Sequence, residues 1–216
     1  MDTNRIAELL RPFLSLADDR GSTRLSEQQL TQISTYIDLL LRWNARINLT
    51  SIRDEENIVT RHFGESFFAC RIAMPHHPTR LADVGSGAGF PGLPIKIYAP
   101  KTHVTLIESN NKKATFLREV IRALNLAEAD VFAKRAEDFP AGSVDLVTLR
   151  AVERFESALQ AAARLVAPSG RLLLLIGRDQ VSRAAVPNFT WDPPVHIPGS
   201  ANRIVLSGTR HREPTQ

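Results

Sequence analysis

The chain has 216 residues, 43% hydrophobic and 23% charged, enough for one substantial domain with a full core plus an extension. The net charge of +4 and a sequence pI near 9.6 tilt it toward anionic partners, and 22 arginines against 5 lysines favour groups that fork onto phosphates and stack on bases. No run approaches the roughly 20 apolar residues of a membrane span, no signal-peptide stretch opens the chain, and a lone Cys70 excludes intrachain disulfides and multi-cysteine metal sites. A cytoplasmic protein without membrane contact is expected.

Residues 1–75 read as a helical N-terminal extension. Ser26 before Glu27, Gln28 and Gln29 is a capping-box arrangement, and apolar residues recur at Leu30, Ile33, Ile37, Leu40 and Leu41, so a helix is predicted to about Trp43. The segment from Arg42 to Ser51 mixes arginines, asparagines and one aromatic and reads as a polar connection; Asn57 to Cys70 returns to helical spacing, with Cys70 a buried helix-face residue. Pro75 and Pro78, flanking His76-His77, mark the break before a domain spanning 76–216. The histidine pair has no spaced partners, so no metal is expected.

After the break, strands alternate with helices, the pattern of a doubly wound α/β fold with a parallel sheet covered on both faces. Strands are predicted at 80–84, 103–107, 129–133, 144–149 and 171–176, and helices at 92–99, 111–124 and 153–166. Beyond 177 the chain is proline-rich; Arg203 to Ser207 supplies a last apolar run, edge strands are expected there, and 209–216 is expected to fray.

The richest segment is Leu81-Ala-Asp83-Val-Gly85-Ser86-Gly87-Ala-Gly89-Phe90-Pro-Gly92. An apolar strand ends on an acid, and recurring glycines let backbone N–H groups approach a nucleotide-like ligand. Gly87 to Gly92 matches the dinucleotide fingerprint G-x-G-x-x-G, while Asp83 to Gly89 matches the turn of S-adenosylmethionine-dependent methyltransferases. Glu108, about 20 residues on, ends the second strand where an acid accepts from both ribose hydroxyls, as either template requires. A hydride-transfer enzyme needs a second half-sheet or substrate domain, and too few residues follow position 150 for one.

The chain resembles the bacterial small-subunit ribosomal RNA guanine-N7 methyltransferases, also called glucose-inhibited division protein B. The matching segments are Trp43-Asn44 with Ile47 to Ile52, Arg61 to Ser66, Asp83 to Pro94, Leu106 to Lys113 with Phe116-Leu117, Arg135 to Glu137, and Asp145 to Ala151, in the family's order and spacing. The resemblance implies a Rossmann-like methyltransferase fold, S-adenosyl-L-methionine as cofactor and small-subunit rRNA or the 30S particle as partner. Among its site residues Gly85 and Phe90 would line the cofactor, Glu108 would bind the ribose, Ala136 and Glu137 would lie beside the adenine, and Arg150 would face cofactor and base. Asp83, Ser86, Gly87, Gly89 and Ser109 complete the expected cofactor set, and Arg150 is the expected catalytic residue, positioning rather than exchanging protons. The chain departs from the family at Glu65, where aspartate is usual, at Leu149, where serine is more common, and at Ile176-Gly177, which lacks a frequent lysine that Arg178 could replace.

Candidates for RNA contact are Arg42, Arg46, Arg53, Arg61 and His62 in the extension and Lys112 and Lys113 after Glu108; for His62 a structural hydrogen bond is the competing role. Transfer to guanine N7, a lone pair without a proton, needs alignment and no general base. A methyltransferase with another RNA target, or an RNA-binding module that keeps the pocket without turnover, are the other functions considered, with a monomer expected throughout.

Overall fold

The computed structural model describes residues 1–15, 24–73, 78–151 and 154–212. Three N-terminal helical stretches are α1 (Thr3–Leu14), α2 (Glu27–Asn44) and a rod running from α3 (Glu55–Ile58) through a π-helical turn (Val59–Gly64) into α4 (Glu65–Ala73). The capping box at Ser26 forms, with Gln29 N–H donating to Ser26 Oγ at 3.2 Å and Ser26 N–H to Gln29 Oε1 at 2.8 Å. Cys70 is fully buried in α4, and burial raises its thiol well above the usual range. The expected break at Pro75, its His76-His77 pair and the division at 75/76 lie outside the described residues.

Then follow β1 (Arg80–Val84), α5 (Gly92–Tyr98), β2 (His103–Ile107), α6 (Asn111–Ala123), β3 (Ala129–Phe132), β4 (Val144–Arg150), α7 (Phe155–Leu165), β5 (Val166–Gly177), β6 (Phe189–Trp191), β7 (Val195–His196) and β8 (Arg203–Arg210). The sheet order is β3-β2-β1-β4-β5-β8-β6, parallel from β3 to β5. The chain winds outward from β1 to β3, then returns to place β4 on the other side of β1. That reversal opens a crevice at the carboxyl ends of β1 and β4, where doubly wound sheets take their ligands.

Strand periodicity sorts the core into two layers. Leu81, Leu106, Leu146, Leu173 and Leu175 face one way, onto a cluster with Ile6, Leu10, Ile33, Phe63 and Phe67 from the N-terminal helices and Leu93 and Phe116 from α5 and α6. Ala82, Val84, Val147, Leu149, Leu172 and Leu174 face α7. The extension therefore shares a core with the sheet; its fully buried Ile33, Ile37, Phe63 and Phe67 contribute about 1.5–3 kcal/mol each.

Two expectations for the tail need correction. The tail does add edge strands, β6 and β7, but the run from Arg203 is not one of them: β8 lies antiparallel on β5 from Arg171↔Thr209 to Gly177↔Arg203, with β6 and β7 outside it. Consecutive buried Ile204, Val205 and Leu206 suit a strand covered on both faces, and a proline-rich approach does not prevent one. Residues 209 and 210 belong to this strand rather than to a frayed end; 213–216 lie outside the described residues. Strand β5 also starts at Val166, five residues before its expected 171, through an irregular pairing between Val144 and Leu146.

Candidate active site

The glycine turn leaves β1 with positive φ at Gly85 (65°), Gly87 (56°) and Gly89 (90°). Its glycines differ in what a side chain would meet. A Cβ on Gly89 would land on the Tyr36 hydroxyl and 2.6 Å from Leu93 Cδ1, and one on Gly92 would come within 2.5 Å of Leu106 Cδ2. Those two let helices close on the turn. A Cβ on Gly87 would meet only the Gly85 carbonyl at 3.7 Å, so this position leaves main chain facing open space.

Asp83 sits beneath the turn with no exposure; its Oδ2 accepts from Gly92 N–H (3.1 Å) and its Oδ1 from Thr148 Oγ1 (2.7 Å), the residue opposite it in the β1–β4 register. Asp83 shapes the cradle from below, and Ser86 Oγ ties back to the Asp83 carbonyl at 2.8 Å. Burial pushes the Asp83 carboxyl up to about 6 against the opposing pull of the Thr148, Gly92 and Ser86 hydrogen bonds and the Arg150 charge. Glu108, at the end of β2, receives Gly87 N–H on Oε2 (2.9 Å) and Asn110 N–H on Oε1 (2.8 Å). A carboxylate has about four acceptor positions, so both oxygens keep capacity for hydroxyl donors. Ser109 beside it is exposed.

Phe90 is 7% exposed and stacks on Tyr36 (5.2 Å, 2°) and His62 (4.5 Å, 19°), with Phe63 edge-on at 5.2 Å. The Phe90-Pro91 peptide is cis. Tyr36 donates its hydroxyl to the Ala88 carbonyl at 2.5 Å, joining α2 to the turn. Tyr36 was absent from the predicted core face of α2, although its place three residues after Ile33 and four before Leu40 puts it there.

His62 is 8% exposed with both ring nitrogens engaged: Nδ1 with Arg150 Nη2 (3.0 Å) and Nε2 with Thr50 Oγ1 (2.9 Å). A guanidinium only donates, so Nδ1 accepts and Nε2–H donates to Thr50. Burial first, then the Arg150 and Arg61 charges, push its pKa down to about 3, so the ring is neutral. The structural hydrogen bond weighed for it is present, to Arg150 of the main domain and to Thr50. Arg150 Nη2 also donates to the Arg61 carbonyl (2.7 Å) and lies 3.5 Å from Glu65 Oε2, while Arg150 Nη1 is buried without a hydrogen-bond partner. Glu65, 2% exposed, holds Arg203 Nε at 2.6 Å. Sequence reasoning missed Glu65 and Arg203 as site residues; Arg178, the expected replacement for a lysine after β5, is exposed, and Arg203 is the residue paired with Gly177.

Ala136 and Glu137 open a 3₁₀ turn (Ala136–Asp138) whose carbonyls are taken by Arg164 Nη2, at 3.1 Å from Ala136 and 2.6 Å from Glu137. The first amides of such a turn have no partner within it, so its N–H groups remain to donate. Arg42, Arg46, Arg53, Arg61 and Lys112 are exposed and Lys113 is half-buried. The two lysines start α6, whose amides Asn110 Oδ1 caps.

The comparisons with known proteins decide the family. The model of "rRNA small subunit methyltransferase G" matches residues 29–191. The chain belongs to the rRNA small subunit methyltransferase G family. A relative of that name from Roseiflexus castenholzii is 41% identical over 85% of this chain and 84% of its own, and one from Xanthomonas euvesicatoria is 37% identical over 94% of each. Among solved structures, Pyrococcus horikoshii TYW2 in complex with MeSAdo superposes with a TM-score of 0.56 at 18% identity, over 70% of this chain and 63% of that one, a likeness of fold. As a member of the methyltransferase G family the chain is an S-adenosyl-L-methionine-dependent methyltransferase. Its residues fit that donor: open main chain at Gly87 and spare acceptor capacity on Glu108.

Proposed function

We propose that the protein transfers the methyl group of S-adenosyl-L-methionine to N7 of a guanine in small-subunit ribosomal RNA, in the cytoplasm. The observation that carries the choice of atom is that, among the described residues, the titratable groups on the Arg150 side of the cradle, His62 and Asp83, are committed to the fold, while Glu108 is assigned to the ribose. His62 is neutral with both nitrogens engaged, and Asp83 is buried with each oxygen accepting a hydrogen bond. N7 carries no proton to remove, so such a site suits it, whereas an exocyclic amine or a ribose hydroxyl must lose one. No described helix is long and apolar enough to cross a membrane, in keeping with an RNA substrate inside the cell.

The bound cofactor supplies an electrophilic methyl on a sulfonium. The chain's own work is alignment: the turn and Glu108 hold the nucleoside end, the Ala136–Glu137 amides meet the adenine edge, and Phe90 closes one wall. Arg150, fixed by the Arg61 carbonyl, His62 and Glu65, positions the incoming base or the donor. It does not stabilise the product charge, because the methylated purine is itself cationic. The test is methylation of 30S particles and of naked rRNA with labelled donor, followed by base mapping. Label at guanine N7 is expected; label on an exocyclic amine or a sugar would overturn the assignment.

A further inference from the structure

Beside Arg150 the charges do not balance. Arg150 and Arg203 both converge on one buried carboxylate, Glu65, and Arg61 adds a third guanidinium, whose charge is felt at His62 and Arg150. Asp83 also acts on Arg150, but its oxygens are engaged beneath the glycine turn. The hydrogen bonds are as lopsided as the charges. Arg150 Nη2 serves the Arg61 carbonyl, His62 and Glu65, while Nη1 of the same group is buried with no partner. Three guanidiniums thus share one free-standing carboxylate, and the excess positive charge favours an anion beside them.

The surroundings say which kind. Arg61, Glu65 and Arg203 line a cavity of about 460 Å³ with Asn57, Thr60 and the apolar Leu9. The other charged group on its wall, Glu8, is paired with Arg5 at 3.1 Å. Arg203 keeps 34% of its side chain exposed and Arg61 is exposed, so two of the three guanidiniums are reachable from solvent. Buried Glu65 holds the forks of Arg150 and Arg203 together without neutralising all three. Guanidinium pairs on a fixed anchor suit the tetrahedral oxygens of a phosphodiester.

We propose that Arg61 and Arg203, on the wall of this cavity and anchored with Arg150 behind them on Glu65, form a subsite for a backbone phosphate of the rRNA segment that carries the target guanine. This deepens the proposed function and rests on it. The cluster would fix the strand by its phosphate and place the neighbouring base at the mouth of the glycine turn.

The test uses the full chain, wild type and the variants R203Q, R203K and R61Q. It measures binding of a labelled small-subunit rRNA fragment over a salt series, together with S-adenosyl-L-methionine affinity and thermal unfolding. R203Q is expected to weaken RNA binding about tenfold and to flatten the salt slope by about 0.7–1, with donor affinity unchanged; R203K, which keeps the charge, retains the slope. R61Q, a change at an exposed side chain, shows the same direction and carries the test should R203Q fail to fold. A wild-type slope in both glutamine variants overturns the subsite. Lost donor affinity with intact RNA binding also overturns it, by assigning the cluster to the carboxylate of the donor. A wild-type protein that takes up no donor and methylates no RNA overturns the proposed function as well, an outcome distinct from normal turnover with an unchanged salt slope.

Discussion

Replacing Asp83 with asparagine isolates one of two opposed buried titrations. Burial raises the Asp83 carboxyl from 3.8 to about 6, so between those values the folded chain holds a proton that the unfolded chain has released. A raised carboxyl contributes stability at low pH and loses it as pH rises through about 6. His62 runs the other way. Its folded pKa falls from 6.5 to about 3, so below 6.5 the unfolded chain binds a proton the folded chain refuses, and stability falls with pH. From pH 7 to pH 4.5 the histidine costs about 2.5 kcal/mol and the aspartate returns about 2 kcal/mol, by linkage at 1.36 kcal/mol per unit. The two contributions therefore largely cancel over that span. In D83N the amide Oδ1 can accept from Gly92 N–H and its NH₂ can donate to a rotated Thr148 hydroxyl, so the fold persists. The variant is expected to equal or exceed wild type at pH 7, because a desolvated charge is gone, and to lose about 2.5 kcal/mol by pH 4.5. Urea unfolding at a series of pH values measures both. A D83N curve with the pH slope of wild type, or one shifted down equally at every pH, would refute the opposed pair.

Gly87→Ala and Gly89→Ala should separate ligand approach from packing. The first costs about 1–2 kcal/mol for positive φ alone and raises the Kd for S-adenosyl-L-methionine at least about tenfold, since its Cβ enters the open side of the turn. The second costs more than about 2 kcal/mol through overlap with Tyr36 and Leu93; calorimetric binding with chemical denaturation reads both. Tyr36→Phe keeps the stack on Phe90 but strands the Ala88 carbonyl, and is expected to destabilise by about 1–3 kcal/mol in urea melts. Arg150→Ala should lower the methylation rate about a hundredfold with native circular dichroism, because Glu65 retains Arg203; unchanged turnover would remove its positioning role.

The parallel sheet was legible because its strands are short apolar runs separated by helical spacing, and the cradle because its glycines and Asp83 stand in one segment. The tail misled because Ile204 to Leu206, read without a partner, resemble any short apolar run; only the pairing with β5 makes β8 interior. His62 was ambiguous for a related reason, since Arg61-His62 reads as a basic pair, and nothing local reports that Thr50 and Arg150 close on both ring nitrogens. Glu65 and Arg203 are 138 residues apart, so their pairing leaves no trace in spacing.

What brings the site together is the parity of β4. Thr148 and Arg150 share the face on which Leu146 packs against the N-terminal helices, a face that would otherwise be apolar. Thr148 is polar because it stands opposite Asp83. Arg150 lies one residue past Leu149, the last position paired with β1, so on that side no strand covers it once β1 has turned away into the glycine loop. A charge can occupy an inward-facing position there because the crevice begins there, but it still needs counter-groups, and the same face dictates who supplies them. The helices covering it are the rod from Glu55 to Ala73, which sets His62 and Glu65 against the guanidinium. The N-terminal segment thus orients what the sheet presents: the sheet delivers Arg150 to the crevice, and the rod determines which way it points.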